Sequence, residues 1–177
     1  MTSQRAQRAA AALLSEAKLT TLPVPVERLA QHCGAVITYQ PFDGDDISGL
    51  LLRKDDQAPV IGVNSANSLV RQRFTIAHEL GHLKLHKGEL ILDRLARVNF
   101  RDTTSSQATE TQEIEANAFA ACLLMPHDLV AAQLQHHVER RHLNDEALVE
   151  ALARDFKVSR PAMEYRLINL GYYTPAG

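Results

Sequence analysis

The spacing of apolar residues divides the chain into helical ends and a short central region of strands. Alanine and leucine recur at helical spacing from Gln4 to Lys18, and Pro25 begins a second short helix that Gly34 closes. Three apolar runs bounded by polar, turn-forming segments then predict strands. These runs are Ala35 to Gln40, Ile47 to Arg53 and Pro59 to Asn64. We expect them to form a small three-stranded, mainly antiparallel sheet.

The second half of the chain has the period of helices. Asn64, Ser65 and Ser68 offer caps for a helix over residues 69–85. Residues 87–112 show little periodicity and end in TTSSQATETQ, which predicts a mobile loop. A helix over 113–125 is almost wholly apolar after its first turn, so we expect it to be buried. The rest, 128–170, reads as three helices: 128–141, 146–156, and one that begins near Ser159.

The length and composition are those of a single globular domain. The 177 residues, 45% hydrophobic and 23% charged, predict one α+β domain over 1–177 in which N-terminal helices occupy 4–33 and the sheet 35–64. The net charge of -2 does not favour nucleic acid as a partner. The apolar stretch near the N-terminus is too short for a signal or membrane-spanning segment, so a cytoplasmic location is expected, without a membrane partner. Cys33 and Cys122 read as buried thiols rather than a disulfide.

The H-E-x-x-H pattern at His78, Glu79 and His82 is the main candidate for chemistry. Side chains four residues apart lie on the same helix face, so both histidines can approach one ion. Glu79 can reach a water beside that ion without being a ligand, which is the position of a general base. The alternative is two solvated histidines. Against this alternative, Gly81 lies in the helix interior, where glycine is less favourable than alanine by about 1 kcal/mol. We expect that close approach of another backbone explains a glycine at this position.

A catalytic zinc site needs a third protein ligand. Glu113 is our candidate because it shares a face with Ala116, Asn117 and Ala120, and these small residues permit close packing on the first helix. Asn117 could hydrogen-bond the outer nitrogen of a ligating histidine. Glu115 is the rival ligand, but it points away from Asn117. Both glutamates could instead serve only to stabilise the first turn of the helix, where the positive end of the helix dipole favours carboxylates.

Two segments resemble the ImmA/IrrE family of metallopeptidases, RFTIAHELGHLKLH at Arg73 to His86 and EIEANAFAACLLMP at Glu113 to Pro126. The resemblance implies a zincin-like, gluzincin-like fold with His78, His82 and Glu113 as zinc ligands and Glu79 as the catalytic residue. It further implies cleavage of helix-turn-helix repressors, often encoded nearby, which releases genes of mobile elements, toxin-antitoxin systems or stress responses. The metal could also be Mn²⁺ or Fe²⁺, because a His/His/Glu set accepts them.

Other expectations concern groups around the metal. The edge of the strand Pro59 to Asn64 could hold an extended substrate by backbone pairing. His86, Tyr165 and Arg166 have suitable chemistry to stabilise an oxyanion or contact substrate, although each could be structural. His86 is a weaker candidate for a third ligand, because one straight helix does not easily supply three tetrahedral ligands.

Two alternatives to a peptidase remain open at the level of sequence. One is a non-catalytic, metal-stabilised module that binds a repressor. The other is DNA binding by the last two helices, whose arrangement resembles a helix-turn-helix but carries only Arg160 and Arg166 as basic candidates.

Overall fold

The computed structural model describes residues 2–42, 47–87, 90–94, 103–141 and 145–174. Within those ranges the fold has seven helices and four strands. The helices are α1 Thr2–Ala17, α2 Val26–His32, α3 Leu69–Leu85, α4 Thr103–Leu124, α5 His127–Arg141, α6 Asp145–Phe156 and α7 Arg160–Asn169. The strands are β1 Val36–Gln40, β2 Ile47–Leu52, β3 Val60–Asn64 and β4 Leu90–Arg94. The predicted α+β class is confirmed.

The sheet is mainly antiparallel, as expected, but has one strand more than predicted. Its order is β1-β3-β2-β4, with β1 parallel to β3 and the other two pairings antiparallel. The fourth strand falls inside the segment expected to be a loop. A five-residue strand, LILDR, with only three apolar residues and no clear alternation carries little strand signal, and its pairing with β2 depends on residues far away in sequence. The rest of the predicted loop, 88–89 and 95–102, lies outside the described residues.

Helix α4 also begins earlier than the sequence indicates, at Thr103 instead of Glu113. The added turns are rich in serine and threonine, which favour a helix less than alanine by about half a kcal/mol per residue. That cost is small once the C-terminal half of α4 is packed, because a formed helix extends cooperatively. Tertiary packing therefore outweighs local preference in this segment.

Helix α3 lies at the centre of the molecule and packs against α1, α2, α4, β2 and β3. Its start follows from local chemistry, since the Ser68 side chain accepts a hydrogen bond from the backbone N–H of Arg71. Asn64 fixes the preceding turn by donating to the Ile47 carbonyl and accepting from the Ala66 N–H. The turn between β3 and α3 thus sets where the histidine-bearing helix begins.

The core is continuous from the N-terminal helix to the last one. Residues of α1, α3, α4 and the sheet meet in it, and α6 and α7 extend it toward the C-terminus. Its largest fully buried side chains include Leu13, Leu51, Ile76, Leu80, Phe119, Leu123, Leu152 and Phe156. No described helix is long and apolar enough to cross a membrane. Cys33 and Cys122 are free thiols, as expected, but both are only partly buried.

Candidate metal centre

Helix α3 places two histidines side by side within the protein. His78 and His82 are one turn apart, and their side chains are only 2% and 1% exposed. Their Nε2 atoms lie 3.0 Å from each other. Two ring nitrogens at that separation, on one helix face, can bind the same ion.

Helix α4 adds Glu113 as the third donor. Its two carboxylate oxygens lie 3.2 Å from His78 Nε2 and 3.3 Å from His82 Nε2. A tetrahedral site with bonds of the usual zinc length, about 2.0–2.1 Å, has edges of about 3.3 Å between ligand atoms. His78, His82 and Glu113 also form the one group of His, Cys, Asp and Glu side chains with metal-binding geometry in the described part of the chain. The triangle of donors therefore fits a small divalent cation.

The close approach of α3 and α4 depends on Gly81. A Cβ at this position would lie 3.0 Å from Ala116 Cα, 3.1 Å from Ala116 O and 3.2 Å from Phe119 Cβ. The backbone of α4 therefore occupies the space that a side chain at Gly81 would need. This contact is the one that the interior glycine predicted, and it brings Glu113 within reach of the histidines.

Asn117 lies behind His78, on the side away from the donor triangle. Its Oδ1 is 3.1 Å from His78 Nδ1. When Nδ1 donates its proton there, the lone pair of Nε2 points at the triangle, as metal binding requires. A hydrogen-bond acceptor beside Nδ1 therefore keeps Nε2 unprotonated, as metal binding requires.

Behind His82 stand His86 and Glu115 instead. His82 Nδ1 lies 3.0 Å from His86 Nδ1, and His86 Nε2 lies 2.9 Å from Glu115 Oε2. Neither residue is part of the donor triangle. The structure therefore places His86 and the rival ligand Glu115 on the outer side of His82, beyond its Nδ1 atom.

Glu79 is fully buried and faces strand β2. A Cβ on Gly49 would lie 3.3 Å from Glu79 Oε1 and would collide with the Thr75 methyl group. The absence of a side chain at Gly49 therefore leaves room for the carboxylate. A glycine within a strand often marks such a close approach, so this contact could have been suspected from ISGLLL.

Arg53, just after β2, is a residue that the sequence did not suggest. Its Nη2 donates to the His82 carbonyl at 2.6 Å. Burial lowers the pKa of Arg53, while the negative charge of Glu79 acts in the opposite direction and raises it. Arg53 thus adds a positive charge beside Glu79 and ties the sheet to the C-terminal end of α3, where a cation is favourable. No motif or spacing marks it in the sequence.

The charges of the site suit a cation at neutral pH. Burial opposes ionisation of Glu113, but hydrogen bonds and charge interactions with His78 and His82 outweigh it and lower the pKa of Glu113 to about 2. Burial lowers the pKa of His82, although the hydrogen bond to Glu113 raises it. Glu113 is therefore ionised and His82 neutral near pH 7, which are the forms that bind metals.

The structure does not bring Tyr165 and Arg166 to the donor triangle. Tyr165 is 66% exposed on α7. Arg166 is buried and its Nε donates to the Met125 carbonyl at 3.0 Å. Met125 follows Glu113 by twelve residues of nearly continuous helix, a separation of about 18 Å. Arg166 therefore holds α7 against the end of α4.

Comparison with known proteins agrees with this geometry. The sequence profile of the M78 peptidases, described as the IrrE N-terminal-like domain, matches residues 30–168. The chain is 37% identical over 116 residues to the "Radiation response metalloprotease IrrE" of Deinococcus radiodurans. That match covers 64% of this chain and 32% of the relative, so the chain matches about a third of the relative's length. The family match spans most of the chain and includes all three donor residues, and the protein belongs to the M78 metallopeptidase family of the IrrE N-terminal-like domain.

Proposed function

We propose that the protein is a zinc-dependent endopeptidase whose metal is held by His78, His82 and Glu113. The observation that carries this proposal is that two Nε2 atoms of α3, 3.0 Å apart, meet the Glu113 carboxylate of α4, whose two oxygens lie 3.2 Å and 3.3 Å from them. Both histidines have a hydrogen-bond partner on Nδ1, which leaves Nε2 to bind the ion. Three ligands also leave one tetrahedral position open for water or substrate.

Glu79 is the proposed general base. Zinc, when bound, lowers the pKa of water from about 15.7 toward about 7 and polarises the carbonyl of the substrate. Glu79 would accept a proton from the attacking water and then deliver it to the nitrogen of the leaving amine. Its burial between α3 and β2 restricts the carboxylate to few positions, and Arg53 favours its ionised form.

The donor set favours zinc over manganese. Two imidazole nitrogens and one carboxylate are the ligands of the His₂Glu catalytic zinc sites, whereas manganese favours oxygen donors. The test is to purify the chain without added metal, measure its metal content, and compare activity after reconstitution with each ion. Activity restored by manganese or iron and not by zinc would contradict this part of the proposal.

The substrate backbone is proposed to pair with β4. The earlier expectation that β3 holds the substrate is wrong, because β3 pairs with β1 on one side and β2 on the other. Among the described strands, β4 lies at an edge next to β2, with Asp93 opposite Gly49. Gly49 is the residue against which Glu79 packs. An extended peptide along β4 would therefore lie next to the strand that contacts the base.

A helix-turn-helix repressor encoded nearby is the proposed protein substrate, with cleavage in the cytoplasm releasing genes of a mobile element, a toxin-antitoxin system or a stress response. Support comes from the family, and the relative's name links it to a response to radiation. The experiment is to incubate the protein and zinc with small repressors encoded beside its gene. We expect a discrete cut that Glu79→Gln does not make.

A non-catalytic module that binds a repressor is the second candidate function. A buried carboxylate next to the donor triangle has no purpose in such a module, which favours the peptidase. Repressor binding without any cut, across several partners and metals, would favour the module. DNA binding by α6 and α7 has little support, because Arg166 is buried and donates to the Met125 carbonyl.

A further inference from the structure

A second set of buried polar groups extends from the donor triangle to the surface. His82 Nδ1 contacts His86 Nδ1 at 3.0 Å, and His86 Nε2 contacts Glu115 Oε2 at 2.9 Å. Arg5 Nη1 contacts the same carboxylate oxygen at 2.9 Å, and Arg5 Nη2 donates to the Leu85 carbonyl at 2.6 Å. The side chains of His86 and Glu115 are only 3% and 7% exposed, whereas that of Arg5 is 56% exposed. We refer to Arg5, Glu115 and His86 as the outer series.

The direction of the hydrogen bonds in this series is set by its carboxylate end. Glu115 Oε2 lies 2.9 Å from the Arg5 guanidinium, which has only donors, and 2.9 Å from His86 Nε2, so the carboxylate is the acceptor in both contacts. Of the two His86 tautomers, the one with its proton on Nε2 fits this contact, because an unprotonated nitrogen 2.9 Å from a carboxylate oxygen would be repelled. His86 Nδ1 is thereby left as an acceptor, and the proton between the two rings belongs to His82 Nδ1.

A proton on His82 Nδ1 leaves the lone pair of Nε2 for the metal. We propose that the outer series is a positioning device, in which Arg5, Glu115 and His86 hold His82 in the tautomer and orientation that bind the ion. This inference rests on the proposed metal site. It assigns roles to residues outside the donor triangle and couples metal affinity to α1. Arg5 and α1 precede residue 30, where the family match begins.

The first measurement is zinc affinity, by competition with a chromophoric chelator. His86→Leu removes the acceptor for His82 Nδ1, and loss of such an outer partner weakens metal binding by about 10- to 100-fold. His86→Asn places an amide oxygen near the position of the lost Nδ1, so it should recover most of the affinity. Arg5→Gln changes only a half-exposed side chain, keeps the core intact, and should weaken binding by a few-fold.

The second measurement is the NMR signal of the ring proton in the zinc-loaded protein. We expect a slowly exchanging proton on His82 Nδ1 in the wild type, absent in His86→Leu and present again in His86→Asn. A purely structural role for His86 would lower thermal stability in both variants without this recovery. His32→Leu, at an exposed histidine of α2, is the control and should leave affinity and signal unchanged.

The outcomes separate this inference from the proposed function. If the wild type binds zinc tightly and His86→Leu and Arg5→Gln bind it equally well, the outer series has no positioning role and the peptidase proposal stands. A proton found on His82 Nε2 in the loaded wild type would overturn the inference by itself. A wild type that binds no zinc would overturn the metal site and the inference together. Neither measurement depends on finding the substrate.

Discussion

The donor triangle of His78, His82 and Glu113 brings together three groups that can each accept a hydrogen bond. When the Nδ1 atoms of His78 and His82 donate outward, to Asn117 and His86, both Nε2 lone pairs and the Glu113 carboxylate converge within 3.3 Å. Acceptors at such distances repel one another unless a proton or a cation lies between them. A bound cation would remove this repulsion, so the outward hydrogen bonds of the two rings favour metal binding.

Replacing Glu79 separates catalysis from metal binding. Glu79→Gln keeps the shape of the side chain but removes the base, so peptide cleavage should fall by about 10²- to 10⁴-fold. Zinc content should remain at the wild-type level, because Glu79 is not in the donor triangle. Cleavage is measured on a repressor substrate and zinc by elemental analysis. Glu110→Gln, at an exposed position of α4, is the matched control, and full activity in Glu79→Gln would exclude the proposed base.

Glu113 gives the metal-free protein a specific dependence on acid. Its pKa in the folded chain, about 2, lies below the ordinary value of 4.5. A lowered pKa means that the ionised group stabilises the fold above pH 4.5, and that this contribution is lost as the pH falls from 4.5 toward 2. Urea unfolding in EDTA should show a smaller loss of stability over this range in Glu113→Gln than in the wild type. Identical profiles would contradict the proposed contacts with the histidines.

The close packing of helices α3 and α4 requires that residue 81 has no side chain. Alanine at position 81 would favour the helix by about 1 kcal/mol over glycine, yet its Cβ would press on the backbone of Ala116. We expect Gly81→Ala to destabilise the protein by about 1–3 kcal/mol, as overpacked cores do, and to weaken zinc binding by displacing Glu113. Urea unfolding and chelator competition measure the two effects. Lys84→Ala, on the exposed side of the same helix, should change neither, and a stabilised Gly81→Ala would refute the argument.

The edge strand β4 can be tested by hydrogen exchange. In the inactive Glu79→Gln variant, a bound peptide substrate should slow exchange of the β4 amides, because backbone pairing shields them. Strand β1 lies at the opposite edge of the sheet and serves as the internal control. If a bound peptide slowed exchange only of the β1 amides, the substrate would lie at the opposite edge of the sheet, and the proposal for β4 would be contradicted.

At the scale of the whole molecule, α1 belongs to the core although it lies outside the family match. Ala6, Ala10 and Leu13 are fully buried at helical spacing, and α1 packs closely on α4. The helix that carries Arg5 is thus also part of the packing that supports the ligand helix. The fold around the donor triangle is therefore larger than residues 30–168.

Leu13→Ala tests the contribution of α1 to stability. Removal of a fully buried leucine should lower the free energy of unfolding by about 2–5 kcal/mol, as measured by urea titration. Glu16→Ala, on the exposed face of the same helix, should change it by less than about 0.5 kcal/mol. Equal stability of Leu13→Ala and the wild type would mean that α1 is not part of the core.

The features that depend on residue spacing within one helix could be predicted from the sequence. The residues 78 and 82, the shared face of Glu113 and Asn117, and the interior Gly81 all follow from helical geometry. Features that depend on two distant segments meeting did not follow. The contact of His86 with Glu115, the hydrogen bond of Arg53 to the His82 carbonyl, and the strand order are set by tertiary packing that one sequence does not encode in any local pattern.

The unequal burial of the three donors has a kinetic consequence. His78 and His82 are nearly inaccessible, whereas the Glu113 side chain is 35% exposed. If the proposed ion is bound, a competing chelator would reach the Glu113 carboxylate before the two histidines, so exchange of the ion would begin at Glu113. The rate of metal exchange should then depend on the motion of the Glu113 side chain, and a bound substrate that covers Glu113 would slow the escape of the ion.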